Sequence, residues 1–182
     1  MGCMGQPSIE YNRKLAMGNR FEEYVYPHLY DTWGVLIESC KTYEEQCDVG
    51  ENCFGIEIKY DDMSKRTTNI YIETAEKSDE SKPDFSNSGI HRVDNSWLFL
   101  NGTETKFYIF LIKELRILEQ TEDWITTGNP TSKGFLIPKK DADMLAWKII
   151  VPNYKDHKKI EEQYQKALRL HRTHINAIHS TN

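Results

Sequence analysis

Two carboxylates and a lysine, Asp48, Glu57 and Lys59, are spaced so that they could act on one substrate. Glu57 and Lys59 alternate with apolar residues, a period of two that is typical of a strand with one face buried. The apolar positions are Phe54, Ile56, Ile58 and Tyr60. Side chains two residues apart on one strand face stand about 6.5–7 Å from each other. Glu57 and Lys59 could therefore reach one site, where two carboxylates could bind a divalent cation and a lysine could act on its water.

Three more acidic residues are candidates for the same site. Glu22 lies at the edge of the apolar stripe of a helix predicted over residues 9–30. Glu73 lies in a strand predicted over residues 69–74, and Asp61 shares the face of Glu57 and Lys59 if their strand continues. Each has a simpler interpretation: a solvated helix carboxylate, an exposed strand carboxylate and the start of a loop. For Glu57 and Lys59 the simpler interpretation is a surface ion pair.

Two further motifs accompany the Asp48 and Glu57-x-Lys59 pattern. Gly18–Glu22 reads G-N-R-F-E, and Asn69–Glu73 reads N-I-Y-I-E, followed by S-G-I at Ser88–Ile90. In order and spacing this set resembles the PD-(D/E)XK nuclease superfamily, in particular its phage and bacterial members. The resemblance extends over Gly18 to Ile90, and Cys47 stands where many members have proline.

The resemblance implies an α/β (α+β) fold with a restriction-endonuclease-like core, in which helices flank a central mixed sheet. It also implies hydrolysis of phosphodiester bonds that depends on Mg²⁺, with Mn²⁺ as a substitute, and DNA as the first expected substrate. Asp48, Glu57 and the carbonyl of Ile58 would bind the cation. Lys59 would orient or deprotonate the water, and Glu22 would contact the metal directly or through water. Glu73 and Asp61 would stand in a second layer around the metal.

Two alternatives remain open at this stage. One is a non-catalytic module of the same fold that binds nucleic acid or a protein. The other is an RNA endonuclease of the cap-snatching kind, whose sites often add a histidine; His28 is the one suitably placed in the first helix, although it is better explained as a packing residue. The presence of Asp48, Glu57 and Lys59 together favours an active enzyme.

Composition limits the class of protein further. The chain has 182 residues and a net charge of −5, with 38% hydrophobic residues. This suits one globular domain over residues 1–151, with a helical extension over 152–182. The acidic charge counts against a protein that binds phosphates alone, but less against a nuclease whose cation offsets its carboxylates. Without an apolar run of about 18 residues or a signal-peptide pattern, we expect a cytoplasmic protein of a bacterium or phage-infected cell, with no membrane partner.

Four cationic side chains are candidates for contact with nucleic acid. They are Lys65, Arg66, His91 and Arg92. Lys65 and Arg66 lie in a predicted loop, where solvated charge is an equal explanation, and His91 and Arg92 lie in the segment that ends the next loop. Cutting both strands of a duplex would favour a homodimer, by analogy with restriction enzymes.

The remaining segments predict the other elements of the fold. We expect a strand at Val35–Ser39, a hairpin over Trp97–Ile112 with its turn at Asn101-Gly102, and a helix over Lys113–Gln120. Thr126–Lys133 reads as a loop, Gly134–Pro138 as an edge strand, and Lys148–Val151 as the last strand. A polar helix from Asp156 to about Ile178 carries a thin apolar stripe at Ile160, Tyr164, Leu168 and Ile175.

Overall fold

The computed structural model describes residues 9–38, 40, 42, 44–45, 52–77, 79–122 and 124–179. Asp48 and Cys47 lie outside these residues. In the described part the chain is a mixed α/β protein with four helices and two four-stranded sheets. The helices are α1 (Ile9–Trp33), α2 (Ile112–Thr121), α3 (Lys139–Leu145) and α4 (His157–His179). None of the helices in these ranges is long and apolar enough to cross a membrane.

The first sheet is mixed and has the strand order β1-β4-β5-β8. Its strands are β1 (Ile56–Tyr60), β4 (Leu98–Thr103), β5 (Lys106–Leu111) and β8 (Lys148–Ile150). β1 runs parallel to β4, and the other pairs are antiparallel. Every residue of β4 is buried, as expected for a central strand covered on both faces.

The second sheet is antiparallel, with the order β3-β2-β7-β6. Its strands are β2 (Asn69–Glu76), β3 (Ser86–Asn87), β6 (Ile125–Asn129) and β7 (Ser132–Pro138). Two short 3₁₀ helices, Asp62–Lys65 and Gly89–His91, flank β2 in sequence. β2 carries a bulge between Glu73 and Ala75.

Two apolar clusters give the molecule three layers. On one face of the first sheet, residues of β1, β4 and β5 pack against α1 and α4; examples are Ile58, Leu100 and Phe107 against Val25 and Leu168. On the other face, Phe99 and Phe110 pack against the second sheet and α2. The first sheet therefore lies between two helices and a second sheet.

The ends of the long helices have clear causes. α1 ends at Trp33 because Gly34 takes a φ of 68° and donates its N–H to the carbonyl of Tyr30 at 2.7 Å. α4 buries Ile160, Tyr164 and Leu168 in the first cluster. The predictions of a first helix and of a C-terminal helix with this stripe are confirmed, except that Ile175 is 38% exposed.

Four predictions about strands and turns are wrong. β4 continues through Asn101 and Gly102, and the hairpin turns at Glu104 and Thr105 instead. Gly102 serves close packing, because a Cβ there would lie 2.4 Å from the carbonyl oxygen of Lys106. The segment predicted as a loop over 126–133 contains β6 and the start of β7, joined at Pro130 and Thr131.

The other two differences concern strand position. β7 pairs with both β2 and β6, so it is central and not an edge strand. Residues 35–38, predicted as a strand, are irregular, and Ser39 lies outside the described residues. Ile37 is nevertheless buried and belongs to the first cluster, which explains its apolar character without a strand.

Candidate functional site

Glu57 and Lys59 project from the same face of β1, as their spacing predicts. Lys59 Nζ lies 2.9 Å from Glu57 Oε1 and 3.2 Å from Glu73 Oε1. Ile58, between them, places its side chain on the opposite face, in the first apolar cluster. The structure thus brings together three residues from two separate motifs, with the lysine ammonium between two carboxylates.

Arg92 gives Glu57 a second cationic partner. Arg92 Nη1 lies 3.2 Å from Glu57 Oε2, and its Nε lies 3.0 Å from Asp94 Oδ2. Glu57 is fully buried, so its charge requires compensation from both sides. Arg92 was predicted as a contact for nucleic acid, but in the described structure it is a partner of the central carboxylate.

Hydroxyl groups hold Glu73 in place. Ser88 Oγ donates to Glu73 Oε1 at 2.7 Å, and Ser132 Oγ donates to Glu73 Oε2 at 3.0 Å. The Tyr71 hydroxyl and Ser132 Oγ are 2.7 Å apart. Gly89 lies so close to β2 that a Cβ would come 2.1 Å from the carbonyl oxygen of Glu73. The N-I-Y-I-E and S-G-I segments therefore meet at this carboxylate.

Glu22 approaches the cluster from α1. Burial raises the pKa of its carboxyl; the hydrogen bond from Tyr26, at 3.4 Å, lowers it, and the charge of Glu57 raises it further. The charge of Lys59 acts in the opposite direction. Glu22 is therefore within electrostatic reach of Glu57 and Lys59, on the helix that the motif predicted.

Asp61 has a structural role in the described residues. Its Oδ1 accepts the N–H of Ser64 at 3.0 Å, and its Oδ2 accepts the N–H of Tyr71 at 3.0 Å. It caps the first 3₁₀ helix and ties it to β2, while burial raises the pKa of its carboxyl. Each carboxylate oxygen of Asp61 therefore accepts a hydrogen bond from a backbone N–H group, which explains the burial of the side chain without a bound metal ion.

Three of the four cations predicted to contact nucleic acid pair with carboxylates away from Glu57. Lys65 Nζ lies 2.6 Å from the Tyr60 hydroxyl and 2.9 Å from Glu104 Oε2. Arg66 reaches Asp62 at 3.5 Å and is largely exposed. His91 Nε2 lies 2.6 Å from Glu119 Oε2. Lys65 and Arg66 lie at the end of the first 3₁₀ helix, and His91 lies in the second.

His28 lies in the interface between α1 and α4. It is buried, and its Nε2 is 3.0 Å from His157 Nδ1, with the two rings stacked at 5.1 Å. Tyr24 packs on both rings. The packing role expected for His28 is confirmed.

Four residues of the site were not predicted as such. Tyr71, Ser132 and Asp94 support Glu73 and Arg92, and Ser88 was quoted only as part of a motif. Ser132 lies within the segment 126–133 that was predicted as a loop, so no local pattern placed it beside β2. Tyr71 and Asp94 each gave a signal in the sequence, because they stand two residues from Glu73 and from Arg92, respectively.

A bound metal ion would need several oxygen donors around one point. Within the described residues no group of three or more His, Cys, Asp or Glu side chains stands close enough together to hold one. Asp48, the predicted third oxygen ligand, lies outside those residues. Among the described residues, the cluster contains four carboxylates, Glu22, Glu57, Glu73 and Asp94, and two cations, Lys59 and Arg92. Carboxylate oxygens are the ligands that a hard divalent cation prefers, but the described residues do not by themselves assemble a metal site.

Comparisons with known proteins identify no relative. No family model, curated protein or solved structure matches the chain. Its function must therefore be argued from the geometry of this cluster.

Proposed function

We propose that the chain is a metal-dependent nuclease that hydrolyses phosphodiester bonds, with DNA as the first expected substrate. The observation that carries the proposal is the contact of Lys59 Nζ with both Glu57 and Glu73. A lysine and two carboxylates held together on one face of β1, with a third carboxylate on α1 within electrostatic reach, are the groups that this chemistry requires.

The arrangement of elements supports a restriction-endonuclease-like core for this proposal. β1, which carries Glu57 and Lys59, belongs to a mixed sheet, and α1, which carries Glu22, packs on that sheet. β2 and the Ser88–Gly89 turn add Glu73. These are the three segments on which the resemblance to the PD-(D/E)XK superfamily rests.

Glu57, Glu22 and the carbonyl of Ile58 would hold Mg²⁺, together with Asp48. When bound, the cation would supply Lewis-acid activation of water and of the phosphate. Lys59 Nζ would orient the attacking water and stabilise negative charge on the phosphate oxygens. Glu73, fixed by two serines, would keep Lys59 in position, and Arg92 would balance the charge of Glu57.

Replacement of Lys59 by Ala tests the proposal. Purified wild-type and variant proteins are incubated with supercoiled plasmid, single-stranded DNA and RNA, in Mg²⁺, in Mn²⁺ and in EDTA. We expect wild-type cleavage that requires the metal, and a loss of about 100-fold or more in the variant. Lys158→Ala, at an exposed position of α4, is the matched control and should cut like the wild type.

Two results would contradict the proposal. Cleavage by Lys59→Ala at the wild-type rate would exclude the assigned site. Binding of nucleic acid without cleavage in any metal would instead indicate a non-catalytic interaction module.

A further inference from the structure

Tyr71 joins the two sheets beside the site. Its backbone N–H donates to Asp61 Oδ2 at 3.0 Å, and its carbonyl accepts a hydrogen bond from Asn101 Nδ2 at 2.9 Å. Asn101 is the neighbour of Lys59 in the parallel pairing of β1 with β4, so the two side chains lie on the same face, with Cα atoms about 4.8 Å apart. Glu73, which contacts Lys59, follows Tyr71 by two residues in β2. The bonds at the Tyr71 backbone therefore set where β2 presents Glu73 to Lys59.

The side chain of Tyr71 leads to the same carboxylate. Its ring lies against Gly134 of β7, where an added Cβ would come 2.7 Å from the ring atom Cε2. The Tyr71 hydroxyl is 2.7 Å from Ser132 Oγ, which is 3.0 Å from Glu73 Oε2. Gly134 is the strand partner of Glu73 and stands two residues from Ser132, so these side chains share one face of the second sheet. The absence of a side chain at Gly134 thus leaves room for the ring whose hydroxyl reaches Ser132.

Hydrogen-bond chemistry fixes the direction of this chain of contacts. A carboxylate has no hydrogen to donate, so Ser132 uses its single hydroxyl hydrogen on Glu73 Oε2. Ser132 can then only accept from Tyr71, whose hydroxyl is the donor. Burial raises the pKa of Tyr71 above its ordinary value, so the hydroxyl keeps the proton that it donates. Ser88 donates to Oε1 of the same carboxylate, and hydroxyl groups therefore restrain both of its oxygens.

We propose that Tyr71 is a positioning residue of the site, which acts on Lys59 through Ser132 and Glu73. The Tyr71 hydroxyl holds Ser132 in the orientation that donates to Glu73. Glu73, restrained in this way, holds the ammonium group of Lys59, which lies 3.2 Å from its Oε1. The consequence for cleavage rests on the proposed nuclease function, whereas the effect on Lys59 does not. One hydrogen bond is worth about fivefold in an equilibrium constant, which sets the size of the expected effects.

Competitive labelling of lysines with acetic anhydride measures the effect on Lys59 without cleavage. The reagent acetylates neutral amines, and an ammonium group held between two carboxylates is protected from it. Tyr71→Phe removes the hydroxyl and keeps the ring against Gly134. Mass spectrometry of the digested protein should show Lys59 acetylated about threefold or more faster in this variant than in the wild type. Exposed Lys158, in the same digest, is the internal reference and should react at the same rate in both proteins.

Two further variants test the route and the specificity of the effect. Ser132→Ala should speed the labelling of Lys59 at least as much as Tyr71→Phe, and the double variant should exceed Ser132→Ala by nothing, since Tyr71 acts through Ser132. Tyr154→Phe makes the same change at a residue that is 84% exposed and should leave Lys59 labelling as in the wild type. Additive effects in the double variant would overturn the route. Faster labelling of Lys158 as well as Lys59 would show a general loss of structure and overturn the positioning role.

Cleavage of DNA in Mg²⁺, measured separately, distinguishes this inference from the proposed function. Tyr71→Phe should lower kcat about fivefold and leave KM unchanged, because the residue orients Lys59 and does not bind the substrate. Unchanged labelling of Lys59 in both single variants would overturn the inference, whether or not DNA is cut. Faster labelling with kcat at the wild-type value would overturn the role of Tyr71 in cleavage. Faster labelling in a protein that cuts no nucleic acid would support the positioning of Lys59 and reject the nuclease.

Discussion

Glu57 is the residue around which the cluster is built. A carboxylate without solvent contact is tolerated only where cations compensate for its lost hydration. Lys59 and Arg92 supply that compensation from β1 and from the segment after the second 3₁₀ helix. The stability of this region should therefore depend on the same contacts that the proposed chemistry uses.

Removal of Arg92 should expose that dependence. Arg92→Ala leaves Glu57 buried with one of its two cationic partners missing, and we expect a loss of about 3 kcal/mol in the free energy of unfolding. Urea denaturation measures the change. Arg66→Ala removes an arginine from a largely exposed pair with Asp62 and should cost less than about 1 kcal/mol. Equal losses in the two variants would contradict the structural role given to Arg92.

The sequence alone was sufficient for some residues of the site and not for others. The alternation of β1 placed Glu57 and Lys59 on one face, because the period of a strand fixes side-chain direction. The residues that contact Glu57 and Lys59 come from distant segments of the chain, so the local sequence period cannot indicate them. Ser132 and Arg92 reach the cluster only through the pairing of β7 with β2 and through the path of the chain after Gly89.

At the scale of elements, the Ser88–Gly89 turn fixes the distance between the second 3₁₀ helix and β2. Gly89 has a φ of 52°, and an added Cβ would meet the carbonyl oxygen of Glu73. The turn must therefore move if the residue gains a side chain, and Ser88 would move away from Glu73. This predicts a coupling between one glycine and the position of the carboxylate beside Lys59.

Gly89→Ala should destabilise the fold by about 2 kcal/mol or more, from left-handed strain together with the steric clash. Thermal or urea unfolding measures it, and the proposed cleavage activity should fall as well. Gly18→Ala is the matched control: it lies within α1 with open space around it, so alanine should stabilise by up to about 1 kcal/mol. A Gly89→Ala protein as stable as the wild type would show that the turn can adjust without loss.

The contact between α1 and α4 should respond to pH through His28. Burial, then the neighbouring His157, lowers the pKa of His28 to about 4, against a weaker opposing effect of Asp31. The folded protein thus binds a proton at His28 less readily than the unfolded chain. Stability from this group is complete above the unfolded pKa of about 6.5 and is lost as the pH falls toward 4, by about 3 kcal/mol in all.

Unfolding free energies at several pH values between 4 and 7 test this. His28→Gln should flatten the pH dependence relative to the wild type, since the difference between the two curves isolates this residue. His171→Gln, at an exposed position of α4, should leave the curve unchanged. Parallel curves for wild type and His28→Gln would mean that His28 accepts its proton as easily in the folded protein as in the unfolded chain.

The elements that sequence analysis placed correctly are those with a long, clear period. α1 and α4 belong to this group; the β4–β5 hairpin was predicted from its apolar strands, although its turn was misplaced. β6 was missed because all its residues are exposed and its glycine and asparagine suggest a loop. The pairing of β6 with β7 holds it in strand form, and such pairing is a tertiary property that local composition does not carry.

At the scale of the whole molecule, the first sheet is the middle one of three layers. α1 and α4 lie on one face of the first sheet, and the second sheet lies on the other. A single central sheet was expected, but β2, β3, β6 and β7 form a sheet of their own. The number of sheets depends on which strands pair, and alternation within one strand cannot indicate that.

The three-layer arrangement predicts that residues 1–151 do not fold without the C-terminal helix. α4 buries Ile160, Tyr164 and Leu168 against α1, and the Tyr164 hydroxyl donates to the carbonyl of Ile37 at 2.6 Å. At about 1.5–3 kcal/mol for each side chain, its loss would remove about 5–9 kcal/mol, as much as the whole stability of many domains. A chain ending at Asn153 should therefore show no cooperative thermal unfolding by circular dichroism. A chain ending at Thr173 keeps all three side chains and the ion pair of Arg172 with Glu38, and should melt close to the full-length protein. Cooperative melting of the shorter chain at the full-length temperature would instead make α4 an appendage on a domain complete without it.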